Sequence, residues 1–293
     1  MAASITRSRN AELPRAVAAA LANPAPGVDR TVSAAGYDWF VRSWGSNADA
    51  PLLLIHGVTS DADAFWRLGP ALVAAGRHVL AIDLPGHGRT GGWLGRHRFA
   101  ETAADVVELV RALDLAGRPD LAVLGHSWGG MVAAALPAAG LAPRTLILLD
   151  PPCLPLRYLA LMTKDPEEQP TADLDEAVAR FRAAHPGWLD GDVRAKAVGV
   201  TRFDVGAVGS ILLDNGDWDA GIAALADPAA EASDVWLIRG DPKAGCLVPD
   251  AAIPAIEQRL GTDHVVTISG APHSPQRTHI EPLVAAILAA IAP

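Results

Sequence analysis

The sequence predicts an α/β fold, a mostly parallel sheet with helices on both faces and a helical cap insertion, on three observations. From Pro51 onward short continuous apolar runs alternate with helical stretches. Strands without polar alternation are buried on both faces, which implies a parallel sheet covered by helices. Gly125-His126-Ser127-Trp128-Gly129 directly follows one such run and precedes an Ala-rich helical stretch, so a G-x-S-x-G pattern falls on a strand-to-helix turn. The rhythm then stops near Pro151 and resumes near residue 234, with helical segments between loops of Pro, Gly and Trp; a helical insertion interrupting one sheet explains the gap.

The elements follow in order. Residues 12–22 read as an amphipathic accessory helix, with Glu12 and Pro14 in its first turn. After the Pro/Gly-marked break at 23–27, residues 31–44 carry two short polar-apolar runs around Gly36, an antiparallel hairpin at the leading edge of the sheet. Strands are expected at 52–55, 79–82, 121–124 and 145–149, with helices near 64–75, at 99–113 and after Ser127. The insertion contains helices such as 173–184 and 217–226. Beyond it come a strand at 235–238, a helix at 251–260, a strand at 265–268 and a closing helix at 281–291. The expected division is an accessory helix and linker at 1–30, a core at 31–152 and 231–293, and a cap at 153–230.

The chain has 293 residues, half of them hydrophobic, enough for one large core. Its 24 basic against 33 acidic residues give a net charge of -9, and no run of Lys and Arg offsets this, so nucleic acid and anionic membranes are not expected partners. The two cysteines, Cys153 and Cys246, make neither a disulfide framework nor a metal-binding spacing and read as free, mostly buried thiols. Arg7, Arg9 and Arg15 before the apolar run 16–22 faintly echo a signal peptide, but the run is too short and weak, and the expected location is cytoplasmic. No segment approaches the roughly 20 apolar residues of a membrane span. No P-loop or Gly-rich dinucleotide fingerprint occurs, so no cofactor and no metal is expected. Oligomeric state stays open, a homo-oligomer included.

Ser127 has two readings. A serine there can cap the helix that begins at Trp128, or it can be a nucleophile held on a strained turn, with glycines on either flank because larger side chains would collide. The surroundings favour the second. Leu-Leu-Ile-His56-Gly57-Val58, Ile-Asp83-Leu-Pro-Gly86-His87-Gly88, the Gly125–Gly129 elbow and Gly270-Ala-Pro-His273 occur in that order, and with them the chain resembles the α/β-hydrolase family over nearly its whole length.

The resemblance implies a nucleophile, acid, histidine order, with Ser127 as nucleophile and His273 as base. An imidazole near its ordinary pKa takes the serine proton well at neutral pH. Among the other histidines, His78, His97 and His185 read as surface or loop residues, His56 and His87 fall in the family's structural turns, His126 lies inside the elbow, His264 opens a strand and His279 enters a helix. Two aspartates compete for the acid. Asp241 follows the strand 235–238, where most relatives carry it, but the position three residues before the Val-Pro pair is Gly245. Asp150 ends the preceding strand, as in dehalogenase-like and lactonase-like branches, and ranks ahead. Either aspartate could instead cap the segment opened by Pro151 or Pro242. The family-implied oxyanion donors are the backbone amides of Val58 and Trp128, and Asp83 is a turn-stabilising residue. Trp66, Trp128, Trp188 and Trp218 could line an apolar pocket or pack the core.

The function expected is a cofactor-independent serine hydrolase acting on a small hydrophobic carboxylic ester or lactone through an acyl-enzyme. A serine at the elbow counts against haloalkane dehalogenase or epoxide hydrolase chemistry. Carbon-carbon bond, peptide or amide hydrolysis and haloperoxidase-like activity use the same constellation, and a small-ligand receptor of this fold would bind without turnover.

Overall fold

The structure, a computed structural model, describes residues 12–92 and 94–292; Arg7 and Arg9 of the signal-like segment lie outside them. One eight-stranded sheet organises the chain. Its strands are β1 (Val28–Ala34), β2 (Tyr37–Trp44), β3 (Ala50–Ile55), β4 (Arg77–Ile82), β5 (Ala122–His126), β6 (Thr145–Leu149), β7 (Asp234–Arg239) and β8 (Val265–Thr267), in the spatial order β1-β2-β4-β3-β5-β6-β7-β8. The hairpin β1–β2 is antiparallel and forms the edge, and β2 runs antiparallel to β4. All other pairings are parallel. Ala35 and Gly36 both have positive φ, 52° and 85°, the geometry that matches a two-residue turn to strand twist.

The central strands are apolar on both faces for a visible reason. Leu53, Ile55, Leu80, Ile82, Val123 and Leu146 join one core cluster, while their chain neighbours Leu52, Leu54, Val79, Ala81, Leu124 and Ile147 join the other. Successive side chains alternate faces, so burial of both faces needs apolar residues at every position. Two helices cover the first face: α3 (Phe99–Ala112) with Val106 and Val110, and α4 (Trp128–Ala135) with Met131 and Val132. On the second face lie α1 (Arg15–Ala22), α2 (Leu68–Val73) and the closing helix (Ile280–Ala290), through Val17, Leu72 and Val284.

Between β6 and β7 the chain forms α5 (Leu156–Met162), α6 (Leu174–Ala184), α7 (Asp190–Thr201), α8 (Val205–Leu213) and the short α9 (Ile222–Leu225). After β7 come α10 (Ile253–Leu260), the single turn α11 (Pro275–Thr278), and then the closing helix, α12. No helix among the described residues is long and apolar enough to cross a membrane.

Three boundaries depart from expectation. Pro14 is extended at ψ 137°, so α1 starts at Arg15 rather than at 12. The expected helix 64–75 divides into a 3-10 turn, Ala62–Phe65, and α2; Pro70 has no N–H to bond back to Trp66, so one continuous helix cannot run through. The expected helix 217–226 shrinks to α9. Ala220 and Gly221 are left-handed (φ 58° and 81°), and the Asp219 carboxylate accepts from the amides of Gly221 and Ala223, so the segment is a capped turn before a single helical turn.

His78, expected at the surface or in a loop, is instead buried on a strand, and His97 lies in a loop as expected but is buried there. His78 sits on β4, and the His97 carbonyl accepts from the Asn215 amide that reaches over from the end of α8.

The turns after β3 and β4 are tied by a buried charge cluster. Asp83 accepts from the amides of Ala62 and Arg89 (both 2.7 Å) and from Arg89 Nε at 2.8 Å, which is the turn-stabilising role expected of it. Asp61, fully buried beside it, accepts from the Asp63 amide and has Arg89 only at 3.8 Å. Burial, with Asp83 and Asp63 adding like charge, pushes Asp61 up to about 8. A carboxyl whose folded pKa lies above its unfolded value favours folding most at pH below the unfolded value, and that contribution fades as pH rises toward the folded one. Asp61→Asn is therefore expected to gain thermal stability relative to the parent between about pH 4 and pH 8, most at the upper end. Melting both proteins across that range checks it; a pH-independent difference would show that Asp61 is ionised throughout.

Candidate active site

Because β3 lies between β4 and β5, the chain leaves β3 toward one side and later crosses to the other. A crevice opens at the carboxyl ends of strands where connections diverge in this way. His56-Gly57-Val58 follows β3, Ser127 follows β5, Asp150 follows β6, Asp241 follows β7, and His273 lies in the loop after β8. Every candidate for nucleophile, base, acid and oxyanion donor thus reaches the same rim.

Ser127 is held at φ 56° and ψ −123° between β5 and α4. A non-glycine residue there costs on the order of 1–3 kcal/mol and persists only where its surroundings impose it. They do: a Cβ on Gly125 would lie 2.0 Å from the Gly129 carbonyl oxygen, and one on Gly129 would lie 2.5 Å from the oxygens of Ile55 and His56. Gly57 is equally constrained, since its Cβ would meet that of Ser127 at 2.8 Å. The glycines let α4 close onto the sheet and the β3 loop pass against the serine.

Asp150 is also in the left-handed region, at φ 43°. Its side chain is fully buried, and Oδ2 accepts from His273 Nδ1 at 2.7 Å and from the Leu247 amide at 2.9 Å. Held by a carboxylate at Nδ1, the His273 ring has its Nε2 as the remaining nitrogen, and the residue borders the same cleft as Ser127. Asp241 has another set of partners. It accepts from the amides of Lys243 (2.9 Å) and Gly270 (3.0 Å), and these bonds hold it below the usual carboxylate range. It caps the 3-10 turn Pro242–Ala244 and ties that turn to the loop that leads to His273. The structure brings Asp150, not Asp241, to the imidazole.

Around this pair His126, His56 and His87 are buried and structural. His126 Nε2 lies 3.0 Å from the His273 carbonyl, and burial holds its pKa well below the ordinary imidazole value; a neutral His126 donating from Nε2 fixes the loop that carries His273. His56 accepts at Nε2 from the Leu84 amide, and its Nδ1 lies 2.7 Å from the Gly57 carbonyl. Desolvation brings His56 down to about 4 and His87 to about 3, so both stay neutral. His264 pairs with Asp234, His185 pairs with Glu167, and His279 lies against Thr278. Among the described residues no group of three or more His, Cys, Asp or Glu side chains could hold a metal ion.

The rim opens into a cleft of about 930 Å³, measured with its mouth, between the sheet and the inserted helices. Gly57, Val58, Ser127 and His273 border it. Its lining includes an apolar set, Met162, Phe203, Val208, Leu212 and Trp218. It also includes a polar set, Thr59, Glu168, Lys196, Ser274 and Arg277. Of the four tryptophans considered, Trp218 lines the cleft and Trp128 is fully buried. Trp66 donates to Asp192, and Trp188 stacks on His185 at 3.8 Å.

Cys153 and Cys246 are free and only partly buried. Burial and the nearby Asp150 charge push Cys246 up to about 11. Sequence reasoning missed Lys196, Glu168 and Arg277. No motif surrounds the first two, and the only signal for Arg277 is its place just beyond His273.

An alpha/beta hydrolase fold family model matches residues 50–207. Lipase LipV of Mycobacterium tuberculosis is 34% identical over 156 residues, covering 53% of this chain and 58% of that protein. The dihydrolipoyllysine-residue acetyltransferase component of the acetoin cleaving system of Pseudomonas putida is 41% identical over 112 residues, 38% of this chain and 28% of that protein. The matched segments thus span less than two thirds of either relative. Among solved structures, E-2-(acetamidomethylene)succinate hydrolase superposes with a TM-score of 0.76 at 21% identity over 91% of this chain and 100% of that one, a likeness of fold. Since the family match runs from β3 through the Ser127 elbow and into the inserted helices, more than half of the chain, this protein belongs to the α/β hydrolase family.

Proposed function

We propose that the protein is a serine hydrolase that cleaves a carboxylic ester or lactone of a small, largely hydrophobic substrate through an acyl-enzyme on Ser127. The observation that carries the reading is the 2.7 Å contact between His273 Nδ1 and the buried Asp150 carboxylate, beside a serine strained at an elbow on the same cleft. An aspartate at Nδ1 orients the imidazole, fixes its tautomer and stabilises the imidazolium that forms when Nε2 takes the serine proton.

Ser127 Oγ attacks the substrate carbonyl as its proton passes to His273. The tetrahedral oxyanion lies between the backbone N–H groups of Val58 and Trp128, the second of which opens α4 and has no acceptor within the helix. Collapse breaks the bond to the leaving alcohol, which takes the proton from His273. Water then gives a proton to His273 as its oxygen attacks the acyl group; collapse breaks the bond between the acyl carbon and Ser127 Oγ, which takes the proton back from His273, and the acid is released. Residues 153–230 act as the cap, and their apolar lining takes the hydrocarbon part of the substrate. The same machinery would serve an amide or a carbon-carbon bond; the apolar lining with its few polar groups favours the ester or lactone.

Treatment with a fluorophosphonate ester, followed by mass spectrometry of the adduct, tests the reading. Stoichiometric labelling of Ser127 in native protein and none after heat denaturation is the expected result. Absence of labelling in native protein would favour a ligand receptor of this fold instead.

A further inference from the structure

The lining of the cleft includes two cations in different situations. Lys196, on α7, is buried and fully engaged: its Nζ is 2.7 Å from Glu168 Oε2 and 2.9 Å from Thr59 Oγ1, and the Thr59 hydroxyl donates to the same carboxylate oxygen. Lys196 and Glu168 therefore neutralise each other while tying the insertion to the loop after β3. Arg277 has no such counter-ion. It stands on α11, one turn beyond His273, and borders the same cleft as Ser127.

Among the described residues Arg277 makes no ion pair. Its Nη1 donates to Ser274 Oγ at 3.4 Å, its guanidinium lies 4.7 Å from the centre of the Trp188 ring, and its Nε is buried without a hydrogen-bond partner. Of the carboxylates whose charge acts on it, Glu168 pairs with Lys196 and Glu167 with His185, while Asp192 accepts from Trp66 at Oδ1, has no hydrogen-bond partner at Oδ2, and acts on Arg277 through its charge without forming an ion pair. Desolvation lowers the Arg277 pKa, yet a guanidinium stays protonated in proteins. A charge taken out of water without a partner costs free energy, and a partner of opposite sign offsets it. The guanidinium fork fits planar bidentate acceptors, and stacking on an indole limits the orientations it can take.

From this arrangement, and resting on the hydrolase reading above, we propose that Arg277 is the specificity-determining anchor for a carboxylate on the substrate, so that the preferred ester or lactone has an apolar body and one free carboxylate. The apolar lining takes the body, and the anion pairs with the Arg277 guanidinium.

Matched ester pairs test this. The acyl-side pair is 4-nitrophenyl hydrogen glutarate against 4-nitrophenyl pentanoate. The alcohol-side pair is the butanoyl ester of 4-hydroxybenzoate against phenyl butanoate. In at least one pair the anionic member should have a kcat/KM about tenfold or more above the neutral one, the scale of a charge-assisted hydrogen bond. Arg277→Gln should erase that preference and Arg277→Lys should restore part of it, through KM more than kcat. Competition by glutarate but not glutaramide in the unaltered protein gives a readout independent of any variant's folding.

Equal or better turnover of the neutral esters in both pairs, or a preference unchanged in Arg277→Gln, overturns the proposal. Its failure is separable from failure of the hydrolase reading. Glutarate binding to Ser127→Ala protein, followed by the fluorescence of the Trp188 indole beside Arg277, depends on the anion site and not on Ser127. Binding there that is lost in Ser127→Ala/Arg277→Gln supports the site even if Ser127 proves unreactive; no binding by either protein counts against it.

Discussion

Ser127→Ala is expected to lower kcat for an ester substrate by about a millionfold while leaving the fold intact. On the proposed mechanism, removing Oγ would delete the atom that attacks the carbonyl, the oriented imidazole would have nothing to activate, and only the amides of the β3 loop and the α4 N-terminus would remain to stabilise an oxyanion. The backbone conformation at 127, φ 56°, is imposed by the close packing of Gly125, Gly129 and Gly57. Alanine pays the same strain as serine there, and the melting temperature should stay within a few degrees of the parent. Burst kinetics together with thermal melts of both proteins check this. Ester turnover within tenfold of the parent would remove Ser127 from the chemistry.

Asp150→Asn and Asp241→Asn should behave very differently. At position 150 the side-chain amide would face His273 Nδ1, and the geometry would survive with the wrong tautomer favoured; kcat should fall by about ten-thousandfold. The buried oxygen also accepts from the Leu247 amide, so some stability is lost with it. At position 241 the carboxylate accepts only backbone amides, of Lys243 and Gly270. An asparagine keeps one of these bonds, so a loss under about tenfold is expected, from a looser His273 loop. Steady-state kinetics of the pair decides between them. A larger loss at 241 would mean that the loop rearranges during turnover to bring that aspartate to the base, and small equal losses would place the acid elsewhere.

The contrast between these two residues shows where sequence reasoning stops. Each aspartate ends a parallel strand, so strand order alone delivers both to one rim and gives each a plausible reason to be there. Which one meets Nδ1 depends on how the loop after β8 folds back, and that is set by contacts distant in sequence: His126 against the His273 carbonyl, the Asp241 amide on the Ala271 carbonyl, and Asp241 on the Gly270 amide. The shortened α9 has a similar cause. Asp219 and the left-handed pair at 220 and 221 interrupt a stretch whose composition is helical, since local capping chemistry competes with helix formation.

Lys196 and Glu168 lie in no recognisable motif, and the place of Arg277 just beyond His273 is the only signal for it. Each is a charged residue on an ordinary helix or turn, and such residues are usually solvated. The burial of Lys196 and the partial burial of Glu168 and Arg277 follow from the inserted helices lying over the rim of the sheet, and a sequence does not state which helix lies over which strand. His78 was misread, and the burial of the loop residue His97 missed, because a histidine in sequence does not reveal that another element covers it.

What the sequence determined by itself is the part written in local periodicity and short-range sterics. Uninterrupted apolar runs specify strands buried on both faces, and small residues around Ser127 specify a turn too tight for side chains. The tertiary structure decided what depends on packing between distant segments: the partner of His273, the extent of the inserted helices, and the place of Arg277, which makes no ion pair among the described residues, on the cleft beside the serine. Periodicity is a property of neighbouring residues, whereas burial and hydrogen-bond pairing belong to the surfaces those residues make when the chain closes on itself.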